Sequence, residues 1–547
     1  MNRFITALAV IISFLIATDL FIIHTTDGDS LTFPLSQIET LTFSTVSDTT
    51  YMTDGNSLNV PLSQIERISF SAVTDTTPPE GAIEIFPGDD INSIVDNNPE
   101  GTTFIIKAGI HRMQEIWPKE GNTFWGEAGA ILNGGKVLTE FGQEGGLYYA
   151  PNQAQEGWYP SSDICLEGWE RCNRPEDLFF DNEPLRHVTS LNDVESGKWF
   201  FDYDADRIYF ADNPDGKKVE TSLSEFAFTD ATPANNVTIK NLIIEKYANW
   251  IQGGVVGGGG YITNWLIEGN EIRLNHGTGV VGGSSSIIRE NYIHHQGQMG
   301  VGTGAEGTTN VLFENNEISY NNYAHCSNES GGSKFSVTDG LEVIGNYVHH
   351  NIGPGLLTDI DNTNILYDGN WVWWNDYMGL SHEISHDVII RNNDFRYNGL
   401  GWDIWMWSSQ ILIHVSDGAD VYNNTIYVHT DGGNGIGIMN YNRPDPVYGD
   451  WYGQNNNIHH NEITYLGMYG ASGIVDDGEE GTDYYMDYNN DSLPDWGCYS
   501  ESANNLFDYN IYHHNGIPEK FEFCGWSYLS LEQFQSEGHE IHETMDS

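Results

Sequence analysis

Eight short segments of the sequence share one pattern, an Asn followed by any residue and then an apolar residue. They are EGNEI at Asn270, RENYI at Asn291, ENNEI at Asn316, IGNYV at Asn346, DGNWV at Asn370, RNNDF at Asn393, YNNTI at Asn424 and HHNEI at Asn461. Neighbouring copies lie 21, 25, 30, 24, 23, 31 and 37 residues apart. A repeat of about two dozen residues with β-branched runs lacks helical periodicity and is too short for a βαβ crossover. The pattern therefore predicts that each copy belongs to one turn of a parallel β-helix.

The repeated Asn residues predict an internal ladder, in which each side-chain amide bonds the turns above and below it. The longer intervals between copies indicate loops that leave the coil. The fold class that follows is all-β, with an elongated coil in place of several ordinary domains.

The charge balance excludes several function classes. The 547 residues include 78 acidic and 22 basic side chains, which gives a formal net charge of −56. Nucleic-acid binding depends on Lys and Arg contacts to phosphate, so we expect no nucleic-acid partner. The same charge disfavours adhesion to anionic membranes. Aromatic residues make up 13% of the chain, which indicates a folded protein despite its charge.

The first residues suggest export. Residues 1–17, MNRFITALAVIISFLIA, have the layout of a secretory signal peptide, with an N-terminal membrane anchor as the alternative. We expect a secreted or cell-surface bacterial protein with no membrane contact after signal removal. The five cysteines then predict two disulfides and one free thiol, with Cys165 close to Cys172, Cys498 and Cys524 flanking the last turns, and Cys326 left over. The pairing stays open.

A second repeat precedes the coil. TDGDSLTFPLSQIETLTFS begins at Thr26, and TDGNSLNVPLSQIERISFS begins 27 residues later at Thr53. Each copy has an Asp-Gly turn between extended segments, so we predict two small β modules over residues 20–71. Residues 72–82, which are rich in Thr and Pro, form the predicted linker.

Several segments resemble a known family. TTFIIKAGIHR (102–112), NTFWGEAGAILNGG (122–135), GGSKF (331–335), GPGLLTDIDN (353–362) and MGLSHEIS (378–385) are similar to secreted right-handed parallel β-helix proteins of the pectin-lyase-like superfamily, with PbH1-type repeats. The resemblance implies a right-handed coil over residues 83–515, an inserted β subdomain at 145–225, and a cap or tail at 516–547. It also implies a carbohydrate-active protein with a polysaccharide substrate.

One column of ionisable residues is the candidate catalytic site. Aligning the apolar residues Phe335, Ile360, Ile384 and Val415 places the residues before them on four consecutive turns. Those residues are Lys334, Asp359, Glu383 and His414, which lie 25, 24 and 31 residues apart. When two carboxylates lie on adjacent turns, about 4.8 Å apart, their repulsion raises the pKa of one of them, and a neighbouring cation lowers that pKa. Such a pair suits glycoside hydrolysis with retention of configuration.

Other candidates surround this column. His382 is a candidate base. Predicted substrate contacts are Asp361, Arg391, Arg443, Trp374, Trp402 and Trp407, because aromatic faces stack on sugar rings and Arg binds carboxylates. Pairing with Asp361 would allow the longer separation of an inverting enzyme.

Calcium has two predicted locations. The segment DYNNDSLPD offers oxygen ligands at Asp487, Asn489, Asp491 and Asp495, a partial match to an EF-type loop. The second location is the column itself, through Asp359, Asp361 and Glu383. No Cys or His spacing indicates zinc.

Three functions fit these residues. The first is a monomeric polysaccharide-degrading glycoside hydrolase that needs no cofactor. The second is a polysaccharide lyase or epimerase, in which Lys334 or His382 abstracts the proton next to a uronate carboxylate and Arg391 or calcium neutralises that carboxylate. The third is a non-catalytic carbohydrate-binding surface protein. The net charge of −56 works against a polyanionic substrate and favours the hydrolase.

Overall fold

The structure is a computed structural model that describes residues 80–547 with short gaps. The gaps are residues 162–163, 232–233, 328, 402–404, 441–442, 446, 448, 477–502, 525–527, 543–544 and 547. Before residue 80 it describes only the backbone of six strands, so the predicted signal peptide and most of the predicted linker lie outside the described residues. No helix in the described part of the chain is long and apolar enough to cross a membrane.

The chain divides into two compact units, Met1–Glu80 and Gly81–Ser547. The first unit contains two antiparallel three-stranded sheets. Its strands are Asp19–Thr25, Ser30–Pro34, Ile38–Thr42, Asp48–Met52, Ser57–Val60 and Ile65–Ala72. Each sheet takes strands from both halves of the unit, since Asp19–Thr25 pairs with Ser30–Pro34 and with Ile65–Ala72. The two sequence repeats therefore interleave and do not form two separate modules.

The second unit is a parallel β-helix built from three long parallel sheets. The first sheet contains Ile83–Ile85, Thr103–Ile106, Thr123–Gly126, Thr238–Lys240, Leu266–Glu268, Ile287–Arg289, Thr308–Glu314, Thr338–Ile344, Thr363–Asp368, Val388–Arg391, Asp420–Tyr422, Asn457–His459 and Leu506–Asp508. The second contains Gly109–Arg112, Ala130–Asn133, Ile243–Glu245, Glu271–Arg273, Tyr292–His294, Glu317–Ser319, Tyr347–His349, Trp371–Trp373, Asp394–Arg396, Thr425–Val428, Glu462–Tyr465, Ile511–His514 and Met545–Asp546. The third contains Gly254–Val256, Thr278–Val281, Met299–Thr303, Gly331–Phe335, Leu356–Asp359, Leu380–Glu383, Ser409–His414, Asn434–Asn440, Ser472–Asp476 and Phe521–Phe523.

Apolar side chains stack from turn to turn inside the coil. On the first sheet Ile267 pairs with Ile288, and Ile288 pairs with Phe313, and all three are fully buried. β-branched and aromatic residues suit such short strands, because their side chains pack on the pleated surface of the neighbouring turn. One continuous core results.

The predicted Asn ladder is confirmed. Asn346 is fully buried, its Nδ2 donates to Asn370 Oδ1 at 3.1 Å, and its Oδ1 accepts from Asn316 Nδ2 at 3.0 Å. The residue before each ladder Asn bends the chain with positive φ, as at Gly345 with φ 65°. Gly and Asn tolerate positive φ better than other residues, which explains why one of them so often precedes the ladder residue.

A second ladder, which the sequence analysis missed, lies five residues after the first. It lines the corner between the second and third sheets, and every member is buried. Its members are Asn275, Gln296, Asn321, Asn351, Asn375 and Asn398, and Gln410, in a strand of the third sheet, accepts from Asn398 and ends the series. The sequence signal was present as a second polar residue at a constant distance from the first ladder.

An inserted β subdomain leaves the coil after the strand Ala130–Asn133. Its two sheets have the strand orders Gly135–Val137, Val219–Ser222, Leu178–Phe180, Glu183–Pro184 and Gly142–Glu144, Leu147–Ala150, Arg207–Phe210, Lys198–Asp202, Arg186–His187. It has its own core around Trp199, and it begins before residue 145, where the prediction started it. A 3₁₀ helix, Leu191–Asp193, lies within it.

Short helices lie at both ends of the coil. Ile91–Asn97 buries Ile91 and Val95 against the first turn. At the other end Leu531–Ser536 places Phe534 against Phe521. The predicted coil boundary at residue 515 is too early, because the strands Phe521–Phe523 and Met545–Asp546 still extend the third and second sheets.

The disulfide Cys165–Cys172 lies where the insertion meets the coil, and Cys326 is a buried free thiol beside it. Cys524 is also disulfide-bonded, and Cys498 lies outside the described residues.

His276 ties the insertion to the coil. Its Nδ1 lies 3.1 Å from Asp177 Oδ2, and its Nε2 lies 2.9 Å from the Cys172 carbonyl oxygen. Both partners are acceptors, so both ring nitrogens carry protons and the ring is an imidazolium. Burial lowers the pKa of His276, but the carboxylates of Asp177 and Glu176 and the Cys172 carbonyl outweigh it and raise the pKa above its usual value.

Replacing Asn346 with Ala should lower the free energy of unfolding by about 3 kcal/mol, because partners on both adjacent turns lose buried hydrogen bonds. Urea denaturation followed by circular dichroism measures the change. Asn97→Ala, at an exposed position in the first helix, is the matched control and should change stability little. Equal effects of the two substitutions would contradict the ladder's role.

The penalty of His276→Gln should depend on pH. The raised pKa means that the ion pair stabilises the fold fully below about pH 6.5 and loses its contribution as pH rises through the folded-state pKa. Denaturation of wild type and variant at about pH 6 and about pH 9 should show the larger deficit at the lower pH. The same deficit at both values would show that His276 contributes only by packing.

Candidate functional site

The outer face of the third sheet carries three of the four predicted column residues in register. Asp359 pairs with Glu383, and Glu383 pairs with His414. Each is the last residue of its strand, so the three side chains lie on adjacent turns at the same edge of the sheet. Buried corner residues hold this alignment, since Asn362 Nδ2 donates to Ser385 Oγ at 3.1 Å and the Ser385 amide donates to Ser416 Oγ at 3.1 Å.

Lys334 is in the site but not in the predicted register. Phe335 pairs with Thr358, which places Lys334 two residues out of line with Asp359. The long side chain spans this offset, and its Nζ lies 3.0 Å from Asp359 Oδ2. It also pairs with Glu329. The site therefore contains the predicted cation, at a different position from the predicted one.

The two carboxylates differ in their surroundings. Their side chains are 15% exposed at Asp359 and 17% at Glu383, so each is shielded from bulk water but reachable by a ligand. Burial raises the pKa of Asp359; Lys334 opposes this and the charge of Glu383 adds to it, leaving the pKa above its usual value. Burial also acts to raise the pKa of Glu383, but His414 and Arg443 outweigh it and hold that pKa below its usual value.

Two groups face Glu383. His414 Nδ1 lies 3.3 Å from Glu383 Oε1, and Arg443 Nη1 lies 3.9 Å from the same oxygen. Arg443 belongs to a hairpin, Arg443–Asp445 with Gly449–Trp451, that leaves the coil beside the column. Within that hairpin Trp451 packs on Ile384 and Val415, the residues that follow Glu383 and His414.

The backbone just after the column is strained. Ile360, Ile384 and Val415 follow the three aligned residues, and their φ angles are 70°, 36° and 47°. β-branched residues rarely adopt positive φ, and such strain persists where the surrounding structure enforces it, often at functional sites. The strain turns the chain sharply after Asp359, Glu383 and His414 and keeps their side chains at the rim of the corner.

An apolar layer lies on the third sheet beside the column. Met406 and Leu412 form part of it, with Trp405 and Trp407 packed against it. These two Trp belong to the 3₁₀ helix Trp405–Ser408. The Trp407 ring lies 4.6 Å from the His414 ring, so Trp407, a predicted substrate contact, is next to the column.

His382 does not belong to the accessible site. It is fully buried inside the coil, where its Nδ1 lies 2.7 Å from Thr358 Oγ1. Burial lowers its pKa to about 3. The prediction that His382 acts as a base on substrate is wrong, because its side chain points inward while that of Glu383, the next residue, points outward.

Arg391 is also away from the column. It ends a strand of the first sheet, and its Nη2 lies 2.8 Å from Asp368 Oδ2. Its guanidinium therefore joins two turns of another sheet, and the predicted contact with substrate at the column is wrong.

Trp374 lies at the corner before the third sheet, whereas Asp359 and Glu383 end strands of that sheet. Its ring stacks on His350 at 6.4 Å and contacts Tyr397 at 4.8 Å. Trp374 is 38% exposed and belongs to a series of aromatic side chains on the outside of this corner.

The remaining predicted contacts divide in two. Asp361 has a side chain that is 44% exposed and lies 4.0 Å from His386, beside the column. Trp402 and the calcium loop with Asp487, Asn489, Asp491 and Asp495 lie outside the described residues.

The carboxylates of the predicted calcium site in the column already have partners. Asp359 is paired with Lys334, and Glu383 is held by His414 and Arg443, so their oxygens already have cationic or hydrogen-bonding partners. Within the described residues no group of three His, Cys, Asp or Glu side chains is placed to hold a metal ion.

Glu329 is the main residue that the sequence analysis missed. It precedes the strand Gly331–Phe335 and pairs with the ammonium of Lys334, and its other oxygen accepts from Gln252. A single Glu in a loop with no counterpart in other turns gives no sequence signal.

Comparisons with known proteins agree with this architecture. A family model described as a right handed beta helix region matches residues 253–426. No curated protein matches the chain. The solved complex of XylC with xylose is 16% identical with a TM-score of 0.59, covering 83% of this chain and 82% of XylC. The A-module of the Azotobacter vinelandii mannuronan C-5 epimerase AlgE6 is 12% identical with a TM-score of 0.44, covering 83% of this chain and 92% of that module. The fold is a right-handed parallel β-helix.

Proposed function

We propose that this right-handed parallel β-helix protein is a retaining glycoside hydrolase that acts through Asp359 and Glu383. The observation that carries the proposal is the pairing of these two carboxylates on adjacent strands, shielded from water, each with its own cation at the edge of the third sheet. A merely solvated face would not require such partners.

The spacing fits retention of configuration. Adjacent strands of a parallel sheet lie about 4.8 Å apart, and retaining glycosidases hold their carboxyl groups about 5–5.5 Å apart. In the first step one carboxylate attacks the anomeric carbon while the other, protonated, gives its proton to the leaving oxygen. In the second step the carboxyl group that gave up its proton, now ionised, takes a proton from water. The water oxygen attacks the anomeric carbon and displaces the other carboxylate from it.

Each of the two carboxylates has a cation beside it that offsets its negative charge. Lys334 pairs with Asp359 and Arg443 pairs with Glu383, which reduces the repulsion between the two neighbouring carboxylates. His414 supports Glu383 from the next turn, and Trp407 lies beside His414, where an aromatic face can contact a sugar ring.

The residues predicted to carry out a lyase or epimerase reaction, Lys334, His382 and Arg391, give that reaction little support at this site. Burial lowers the pKa of Lys334, but Asp359 and Glu329 outweigh it and keep the pKa above its usual value, so the amine is protonated and cannot abstract a proton. His382 is inside the coil, and Arg391 lies on the first sheet. These positions favour the hydrolase over the lyase.

The substrate and setting extend the proposal. The net charge of −56 favours a neutral polysaccharide or oligosaccharide, and XylC was solved with xylose, so neutral glycans are the first substrates to test. The reaction needs no cofactor. We further propose that the protein is a monomer that is secreted or held at the bacterial cell surface, as the apolar segment at residues 1–17 suggests.

Asp359→Asn and Glu383→Gln should each lower turnover of a cleaved glycan by about a thousandfold, because each removes one catalytic carboxylate and the loss of such a group lowers the rate by roughly this factor. Reducing-sugar release measures turnover. Azide should rescue the variant that lacks the acid–base carboxylate and give the glycosyl azide with retained configuration. It should give the inverted azide with the variant that lacks the nucleophile, which assigns the two roles.

Asp339→Asn is the matched control, since Asp339 is an exposed carboxylate on the first sheet. It should leave turnover unchanged. Full activity of both Asp359→Asn and Glu383→Gln, or unsaturated products that absorb in the ultraviolet, would contradict the proposal.

Lys334→Met should shift the acid limb of the kcat/KM profile to higher pH. The Lys334 charge lowers the pKa of both Asp359 and Glu383, so its removal raises the pH at which the essential carboxylate ionises. Lys334→Arg keeps the charge and should leave the limb close to that of wild type. An unshifted limb in Lys334→Met would show that the ammonium does not act on the pair.

A further inference from the structure

A cavity of about 200 Å³ lies where the inserted subdomain meets the coil. It is lined by Arg171, Arg174, Arg186 and His187 from the insertion and by His276 and Tyr323 from the coil. Three of the 22 basic side chains of a strongly acidic protein therefore converge on one small space.

Two of these guanidinium groups lack a carboxylate in ion-pair contact among the described residues. Arg186 lies over the Trp169 ring at 4.3 Å, and its Nε is buried with no hydrogen-bond partner. Arg171 lies 5.9 Å from the Tyr203 ring, and burial lowers its pKa. Of the three, Arg174 alone forms an ion pair within the described part of the chain, with Glu156 at 3.0 Å.

His187 adds an unused polar group to the same cavity. Its ring stacks on Trp199 at 4.0 Å, and neither ring nitrogen has a hydrogen-bond partner among the residues that the structure describes, although both are shielded from solvent. Burial and the neighbouring Arg171 lower its pKa well below the usual value, so the ring is neutral. A neutral imidazole offers one N–H donor, and here that donor is unsatisfied.

The carboxylate that lines the cavity does not neutralise it. Asp177 accepts from Tyr323 at 2.7 Å and from the His276 imidazolium at 3.1 Å, so its charge is matched by His276. Arg171 is near enough to Glu176, and Arg186 to Glu170 and Glu195, to interact with their charges, but among the described residues neither guanidinium has a carboxylate within ion-pair distance. Buried donors without acceptors cost free energy, and an anion in the cavity would supply those acceptors.

We propose that this cavity is a binding site for an oxyanion, either a free sulfate or phosphate ion or the carboxylate of a sugar acid. Planar guanidinium groups bind such groups through paired N–H donors, and the neutral His187 ring adds a further donor. The volume is several times the roughly 30 Å³ that one water molecule occupies, so there is room for an oxyanion with part of a larger solute. The site is separate from Asp359 and Glu383, and it does not depend on the hydrolase proposal.

Isothermal titration of the full chain tests the site with sulfate, phosphate and glucuronate, at constant ionic strength set with chloride. At least one of the three should bind saturably with one site per chain, and glucose, which lacks the charge, should not. Binding of sulfate or phosphate alone identifies a free-ion site, whereas tighter binding of glucuronate identifies a site for acidic sugars.

Arg171→Gln and Arg186→Gln should each weaken that binding roughly tenfold or more, because each removes charge-assisted hydrogen bonds. Arg186→Lys, which keeps the charge but loses the paired donors, should fall between Arg186→Gln and wild type. Arg207→Gln is the matched control, since Arg207 lies in the same subdomain but pairs with Glu144 at the surface, and it should bind as wild type does.

Circular dichroism and the melting temperature confirm that each variant folds. If Arg186→Gln does not fold, Arg171→Gln and Arg186→Lys give the answer. Absence of binding by all three anions, or unchanged affinity in both Arg171→Gln and Arg186→Lys, would overturn the proposal.

Discussion

Register between successive turns is the constraint on which the whole coil depends. Parallel strands about 4.8 Å apart must keep the same residues opposite each other over many turns, although the turns differ in length. Buried amide ladders impose this register, as when Asn346 accepts from Asn316 and donates to Asn370. Extra residues are confined to loops. Asp359, Glu383 and His414 can therefore stand on adjacent strands even though the second interval between them is longer than the first.

Much of this could be predicted from the sequence, because the ladder Asn and the αL residue before it recur with recognisable chemistry. The alignment failed at Lys334 for a specific physical reason. It treated Ile360 as the inward residue that matches Phe335, but Ile360 lies in the corner with positive φ. The inward residue is Thr358, which pairs with Phe335. Only the length of the Lys334 side chain restores its contact with Asp359.

The other errors share a cause, which is that polar residues can lie inside the coil. Thr358 and His382 are both fully buried and are joined by a hydrogen bond, so the His next to Glu383 is part of the core. A prediction from sequence pattern places polar residues on the outer face, so it cannot identify a buried polar pair such as Thr358 and His382. Functional residues in loops are equally hard to predict, because Glu329 and the residues that line the cavity of the insertion belong to segments that do not repeat.

Because the chain is strongly acidic, the positions of its few Lys and Arg side chains are informative. With 78 carboxylates available, most Lys and Arg side chains are in ion pairs, such as Arg112 with Glu220 and Arg289 with Glu268. A cation that lies on a functional carboxylate, as Lys334 does on Asp359, lets two acids stand side by side at the rim of the third sheet. Arg186 has no carboxylate within ion-pair distance among the described residues, and its buried Nε has no hydrogen-bond partner there, which is why we propose that a ligand supplies the acceptor. Both uses of positive charge follow from its scarcity.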